Sequence, residues 1–243
     1  MWNVTSRMEV RVTVFQIRRC ENSGRMRLCT LLWEQSRADN QSLWSLPGGW
    51  LRDDENIQES AERQLSEKVD VHSLSHLEQL QVFSQPNRRS DGRVVLCAFM
   101  ATIPTTSEPQ LPDDTHWIPV DALPQTVADH AAVIAAAQDR LVSKLGYTNL
   151  GFALSPATFT ISELRDIYEA ALGYRVDASN LQRTLRRRGV ITPTGHFSEP
   201  GDEGGRPAKL YAFVHNTCQV TDSSAILRRP QRSDTKHNQQ PSF

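Results

Sequence analysis

The block Leu46 to Val71, LPGGWLRDDENIQESAERQLSEKVDV, joins a glycine turn, an acidic amphipathic stretch and an exit loop without a break. Gly49 is followed after five residues by Glu55, and Glu55 after seven by Arg63, Gln64, Leu65, Glu67 and Lys68. A helix over roughly residues 57–68 is predicted. Ile57, Ser60, Ala61 and Leu65 then turn inward, and Glu55, Glu59, Glu62 and Arg63 crowd the other faces. Residues 64, 67 and 68 are spaced three and four apart, so their side chains share one helical face.

That spacing resembles the Nudix box, in which the Arg is followed by Glu, an apolar residue, any residue, two Glu, any residue, Gly and an apolar residue. The resemblance implies a face of three carboxylates that hold magnesium against a pyrophosphate, since magnesium is a hard cation that takes oxygen ligands. This chain offers Gln64, Glu67 and Lys68 there. A neutral amide is a weak ligand, and an ammonium both repels a cation and pairs with Glu67. Asp70 replaces the Gly that ends the box helix, a position that favours positive φ. The fold is therefore expected to survive and the metal site is not, so no catalytic or metal-binding residue is expected. The resemblance pairs Arg63 with Glu55; two solvated surface charges are the other reading.

The flanking segments supply a sheet. Residues 9–17 alternate Val10, Val12 and Val14 against Glu9, Arg11 and Thr13, the period-two signature of a half-buried strand. Residues 26–34 give a second strand, and residues 94–103 a long one after a loop that carries Pro86, Arg88, Arg89 and Arg93. Residues 129–147 repeat Val133, Ile134, Ala137, Leu141 and Leu145 at helical spacing, with an Ala-rich side that packs internally or across a dimer.

At 243 residues with a net charge of −1, two ordinary domains fit better than one large one, and whole-chain electrostatics name no partner. Cys20, Cys29, Cys97 and Cys218 show no metal or disulfide spacing, so reduced thiols are expected. Without a bilayer-length apolar run or a signal-peptide core, no membrane association and a cytoplasmic location are expected.

The composition changes after a short linker at 148–156. Thr160 and Glu163 form a capping box that opens a helix ended by Gly173. Asp177 caps a second helix, closed by Gly189. On a helical wheel Leu181 and Leu185 lie on the core side, and Ser179, Asn180, Arg183, Arg186 and Arg187 lie opposite. Arg188 sits near the core stripe, where it opposes the helix dipole. Residues 190–214 then read as two strands around a Gly-rich tip, with Val190 and Ile191 pairing Leu210, Tyr211 and Phe213, and with Arg206 and Lys209 presented. A helix-turn-helix followed by a hairpin is a winged helix; an Arg-rich face favours DNA over a protein partner, because Arg and Asn bond both phosphates and base edges. The polar, aperiodic residues 216–243 read as disordered.

The order of these parts, with DHAAVIAAAQDRL, FTISELRDIYEAALG and GRPAKLYAF, closely resembles the NrtR family of Nudix-related regulators of NAD metabolism. The expected fold is α+β, a Nudix α/β/α sandwich over 1–147 followed by a winged helix-turn-helix over 157–215. The resemblance implies a homodimeric repressor that binds palindromic double-stranded operator DNA. It implies ADP-ribose or a related nucleotide as effector rather than cofactor, and an effector-driven change of domain orientation at the linker. The candidate ligand residues are Gly49, Trp50, Glu55, Arg63, Glu67, Arg88 and Arg93. The candidate DNA residues are Ser179, Asn180, Arg183, Arg186, Arg187, Arg206 and Lys209. An active ADP-ribose pyrophosphatase with an accessory winged helix, and a scaffold that binds neither ligand, remain alternatives.

Overall fold

A computed structural model describes residues 6–20, 23–36, 42–69, 74–90, 92–199 and 207–222. Strand β1 (Arg7–Arg19) is the spine of a seven-stranded sheet. It pairs antiparallel with β2 (Met26–Ser36) and β4 (Gly48–Trp50), and parallel with β6 (Val94–Thr102). Beyond them lie β3 (Ser42–Ser45) and β7 (Thr115–Pro119) on β2, and β5 (His76–Phe83) on β6. The short β3 and β4 occupy the approach to the glycine turn and the turn itself, where the sequence named no strand.

Alternation along β1 divides the core. Val10, Val12 and Val14 pack with Ala61 and Leu65 of helix α1 (Ile57–Val69) on one face of the sheet. Phe15 and Ile17 belong to a cluster with Val133, Ile134, Ala137 and Leu141 of α2 (His130–Tyr147) on the other. Leu65 is wholly buried, so Leu65→Ala would cost about 2–5 kcal/mol. The expectation of a half-buried β1 is corrected here: Glu9, Arg11 and Thr13 are buried as well. The two charges are tolerated because they meet each other, with Arg88 as a further partner of Glu9 and the Leu46 and Gly48 carbonyls as further partners of Arg11.

The α2 cluster continues without a gap into the C-terminal unit, through Leu164, Ile167, Tyr168 and Ala171 of α3 (Ile161–Leu172) and Leu181 and Leu185 of α4 (Ala178–Arg187). Thr160 and Glu163 form the expected capping box, Gly173 caps α3 in the left-handed region, and the Asp177 side chain accepts from the Asn180 amide to start α4. Strands β8 (Ile191–Phe197) and β9 (Lys209–Phe213) make the wing, with Ile191 opposite Phe213.

Two expectations change at the junction. Residues 148–156 are no free linker: they hold a short 3-10 turn at Leu150–Ala153, and Leu150, Phe152, Ala153 and Leu154 are buried. Residues 216–222, expected to be disordered, form a strap across that turn. Asn149 holds it, donating through Nδ2 to the carbonyls of His215 (3.1 Å) and Thr217 (2.9 Å) and accepting at Oδ1 from the Gln219 amide (2.6 Å). Thr148 bridges to Val220, and the Thr221 amide donates to the Tyr147 carbonyl. Residues 223–243, and with them the rest of the expected tail, lie outside the described residues, as do Asp70, Val71 and Arg206.

Candidate ligand and nucleic-acid sites

The Nudix-box residues form one connected group. Arg63 donates through Nε to Glu55 Oε2 and through Nη2 to Glu55 Oε1, both at 2.6 Å, and through Nη1 to Glu67 at 3.0 Å. Its Nη2 also reaches the Trp50 carbonyl at 3.5 Å. The Arg63 hydrogen bonds hold the Glu55 carboxyl down at about 2, so the pair is ionised at any ordinary pH. Glu55 accepts from the Arg52 amide as well, so the pair staples the glycine turn to α1. Its fixed geometry separates it from two loose surface charges.

Glu67 is shared by Arg63 and by Arg52, 3.7 Å away. Two guanidiniums therefore neutralise the one carboxylate left on the box face. Gln64 is buried beside Gly49, with its Nε2 aimed at the Trp50 carbonyl (3.5 Å) and its Oε1 unpaired. Among the described residues no three His, Cys, Asp or Glu side chains come together as a metal site.

The other face of the sheet carries a charge cluster that β1 alternation hides. Arg11 bonds both Glu9 and the carbonyls of Leu46 (2.8 Å) and Gly48 (3.3 Å), tying β1 to the loop ahead of the box. Burial alone would raise the Glu9 pKa; Arg11 and then Arg88 bring it below the usual carboxylate range. Arg88, a candidate ligand residue, has a side chain that is 1% exposed, and it donates to Glu9 (3.1 Å) and, through both Nε and Nη2, to Asp129. It is bound to acids rather than presented to solvent. Arg93 donates to the Ser84 carbonyl (2.7 Å) across the loop.

Trp50 joins the two groups. Its carbonyl faces Arg63 and Gln64, and its ring lies under Arg7, whose guanidinium carbon is 3.7 Å from the ring centroid, with Arg89 at 5.8 Å. Arg89 also approaches Glu9 at 3.8 Å. An aromatic ring flanked by guanidiniums offers stacking and anion recognition together. His130, beneath this cluster, is 1% exposed; its Nδ1 accepts from the Leu46 amide (3.1 Å), which fixes a neutral ring protonated on Nε2. Arg7, Glu9, Arg11, Asp129 and His130 escaped the sequence reading. The only signal for the first three was opposite charge two residues apart along a strand.

In the C-terminal unit the α4 face is as expected. Leu181 and Leu185 are buried, and Ser179, Asn180, Arg183, Arg186 and Arg187 are exposed. Ser179, Gln182, Arg183, Arg186 and Arg187 line a shallow cleft of about 440 Å³. Arg183 donates to Asn180 Oδ1 (2.9 Å), which orders both side chains. Lys209 is exposed at the start of β9. Arg188 does more than oppose a dipole. It leaves its helix to donate to the Gly146 carbonyl and to Asp222, both at 2.7 Å.

Comparison with known proteins gives this geometry a lineage. The NUDIX domain model matches residues 9–137, and the model described as NrtR DNA-binding winged helix domain matches residues 151–213. The ADPR responsive transcriptional repressor NtrR of Acinetobacter baylyi is 32% identical over 214 residues, covering 85% of this chain and 82% of that protein. The chain belongs to the NrtR family. The crystal structure of Shewanella oneidensis NrtR complexed with a 27mer DNA superposes on this NrtR-family chain with a TM-score of 0.67 at 27% identity, covering 85% of this chain and 93% of the other. A MutT/nudix family protein from Enterococcus faecalis shares the fold, with a TM-score of 0.68 at 23% identity. The expected α+β architecture of a Nudix domain followed by a winged helix is therefore the one present.

Proposed function

We propose that this NrtR-family chain is a transcriptional repressor of NAD biosynthesis or salvage genes, relieved by ADP-ribose or a closely related nucleotide. The observation that carries this reading is the α4 face. Three exposed Arg beside Ser179 and Asn180 stand on a helix whose opposite side is locked in the core, in a chain whose other half is a Nudix domain. Such a face has no folding role, and it suits phosphates and base edges. The protein acts as a homodimer on paired half-sites, residues 1–147 receive the effector and residues 157–215 the DNA. What the Acinetobacter relative responds to, by its description, is ADPR.

The effector domain senses and does not cleave. Gln64 and Lys68 stand where the box needs carboxylates, and Glu67 is held by Arg63 and Arg52. The effector's base stacks on Trp50 and its pyrophosphate meets the neighbouring guanidiniums, with Gly49, Glu55 and Arg63 shaping the floor. Arg93 borders the site, and Arg88 holds its wall in place through Glu9 and Asp129.

The test is a titration of ADP-ribose, NAD and NMN against a complex of the protein with DNA from upstream of NAD-metabolism genes. Release by ADP-ribose at micromolar levels is the expected result. Sustained magnesium-dependent hydrolysis of ADP-ribose, or no specific duplex bound, would overturn the reading.

A further inference from the structure

The wing carries an aromatic side chain that folding does not use. Phe197, at the end of β8, is 56% exposed. Its position is nevertheless fixed. The β8–β9 ladder runs through Pro193 opposite Tyr211, shifts register, and resumes with Phe197 opposite Lys209. Gly195 lies inside the shift at φ +85°, a backbone conformation open to glycine and strained for other residues. Thr194 Oγ1 accepts from the His196 amide (3.2 Å) and donates to the Leu210 carbonyl (3.1 Å). Beyond it the Ser198 amide donates to the Ala208 carbonyl (2.8 Å), so pairing closes again outside Phe197. Bulges of this kind re-aim side chains.

The direction of that aim follows from strand parity. Residues directly opposite, and residues two apart, share a face of the ribbon. Tyr211, Lys209 and Phe197 therefore lie on one face. Tyr211 marks where that face points: its hydroxyl accepts from Gln182 Nε2 at 2.7 Å, and Gln182 lines the cleft that holds Arg183, Arg186 and Arg187. The wing face thus begins at the basic cleft of α4 and continues outward, about 7 Å per pair of residues, to a cation paired with an exposed aromatic ring.

We propose that Phe197 is a DNA contact of the wing, seating its ring against the sugars of the minor groove next to the major groove that α4 enters, while Lys209 takes an adjacent phosphate. This rests on the DNA-binding reading above and adds an apolar contact to it. Apolar side chains at a minor groove act by contact with sugars and base steps and leave counterion release untouched, whereas a Lys–phosphate contact releases a counterion. The two residues of the pair are therefore separable by experiment.

The full-length protein selects a duplex from a random-sequence library, and Kd for that duplex is measured by fluorescence anisotropy over a range of salt. Phe197→Ala is expected to weaken binding tenfold or more with an unchanged log–log salt slope and an unchanged melting temperature. Phe197→Leu keeps most of the affinity, and Lys209→Ala lowers the slope by about one. Hydroxyl-radical footprinting shows the minor-groove sugars flanking the α4 site protected by wild type and open with Phe197→Ala. The proposal falls if Phe197→Ala binds and protects as wild type does while Arg186→Ala with Arg187→Ala loses the duplex. If the wild type selects no duplex, the DNA-binding reading fails first and this inference falls with it.

Discussion

Gly49 and Gln64 touch so closely that a Cβ on Gly49 would stand 2.7 Å from Gln64 Nε2 and 2.9 Å from its Oε1. The amide that replaces a box carboxylate is thereby part of the packing between the glycine turn and α1. Gly49→Ala should destabilise the protein by about 1–3 kcal/mol through overpacking, read as a drop in melting temperature. Gly49→Ala with Gln64→Ala should recover most of it, because the clash is with a side chain. Gly48→Ala should not be rescued in that way: its Cβ would meet the Val10 carbonyl at 2.1 Å, and its φ is +144°. A Gly49→Ala protein that melts with the wild type would contradict this packing.

The same contact bears on metal dependence. With Glu67 bonded to Arg63 and within 3.7 Å of Arg52, the one carboxylate on the box face is already paired, and none is left over to hold magnesium against the effector. Calorimetry should give the same ADP-ribose Kd, within about twofold, in magnesium and in EDTA, since nothing here relies on a hard cation bridging carboxylate and phosphate. A tenfold loss in EDTA would restore the metal cradle that the sequence gives up.

His130 supplies a pH dependence. Burial, then the nearby Arg11 guanidinium, push its pKa down to about 3 from the ordinary 6.5. The folded protein thus keeps His130 neutral while the unfolded chain takes up a proton below about pH 6.5. Protons bound preferentially to the unfolded state make stability fall as pH falls, here between about 6.5 and 3, with a limiting slope near 1.4 kcal/mol per pH unit. Urea unfolding at pH 7.5, 6 and 5 should show that fall, and His130→Asn should flatten it. The carboxyl of Glu55, held at about 2, contributes in the same direction lower down: its stabilisation is complete above the unfolded carboxylate range and is lost progressively as pH falls from there to about 2. Parallel wild-type and His130→Asn curves would remove His130 as the source.

How much of this was legible in the sequence follows from the range of the interactions. The capping box at Thr160 and Glu163, the Asp177 cap and the Leu181–Leu185 stripe are local patterns, and local hydrogen bonding and periodicity decide them. The Glu55–Arg63 pair was legible because the two residues lie on one short motif. Arg88 was not: its acids are Glu9 and Asp129, from the first strand and the start of α2. No spacing rule joins residues 79 and 41 positions away in the chain. The junction misled for a related reason. Residues 148–156 and 216–222 look like connectors because each lacks periodicity, and the bonds that hold them together, through Asn149 above all, join positions some 70 residues apart.

Three consecutive Arg at the end of α4 make the sharpest test, because the structure gives them different roles. Arg186 and Arg187 are exposed on the cleft face, whereas Arg188 is partly buried and donates to Gly146 and Asp222. Arg186→Ala with Arg187→Ala should leave the melting temperature unchanged, abolish the shift of a specific duplex at physiological salt, and lower the salt slope of residual binding by about two. Arg188→Ala should instead lower stability by about 1–3 kcal/mol, since it removes a charge-assisted bond to Asp222 and a bond that satisfies the end of α2. Arg188→Lys should recover only part of that loss, because one ammonium cannot reproduce a guanidinium fork that spans two acceptors. Thermal melts and gel shifts on the three variants separate the roles: an Arg188→Ala protein that melts normally but loses the duplex would move Arg188 to the DNA face and refute the strap as its anchor.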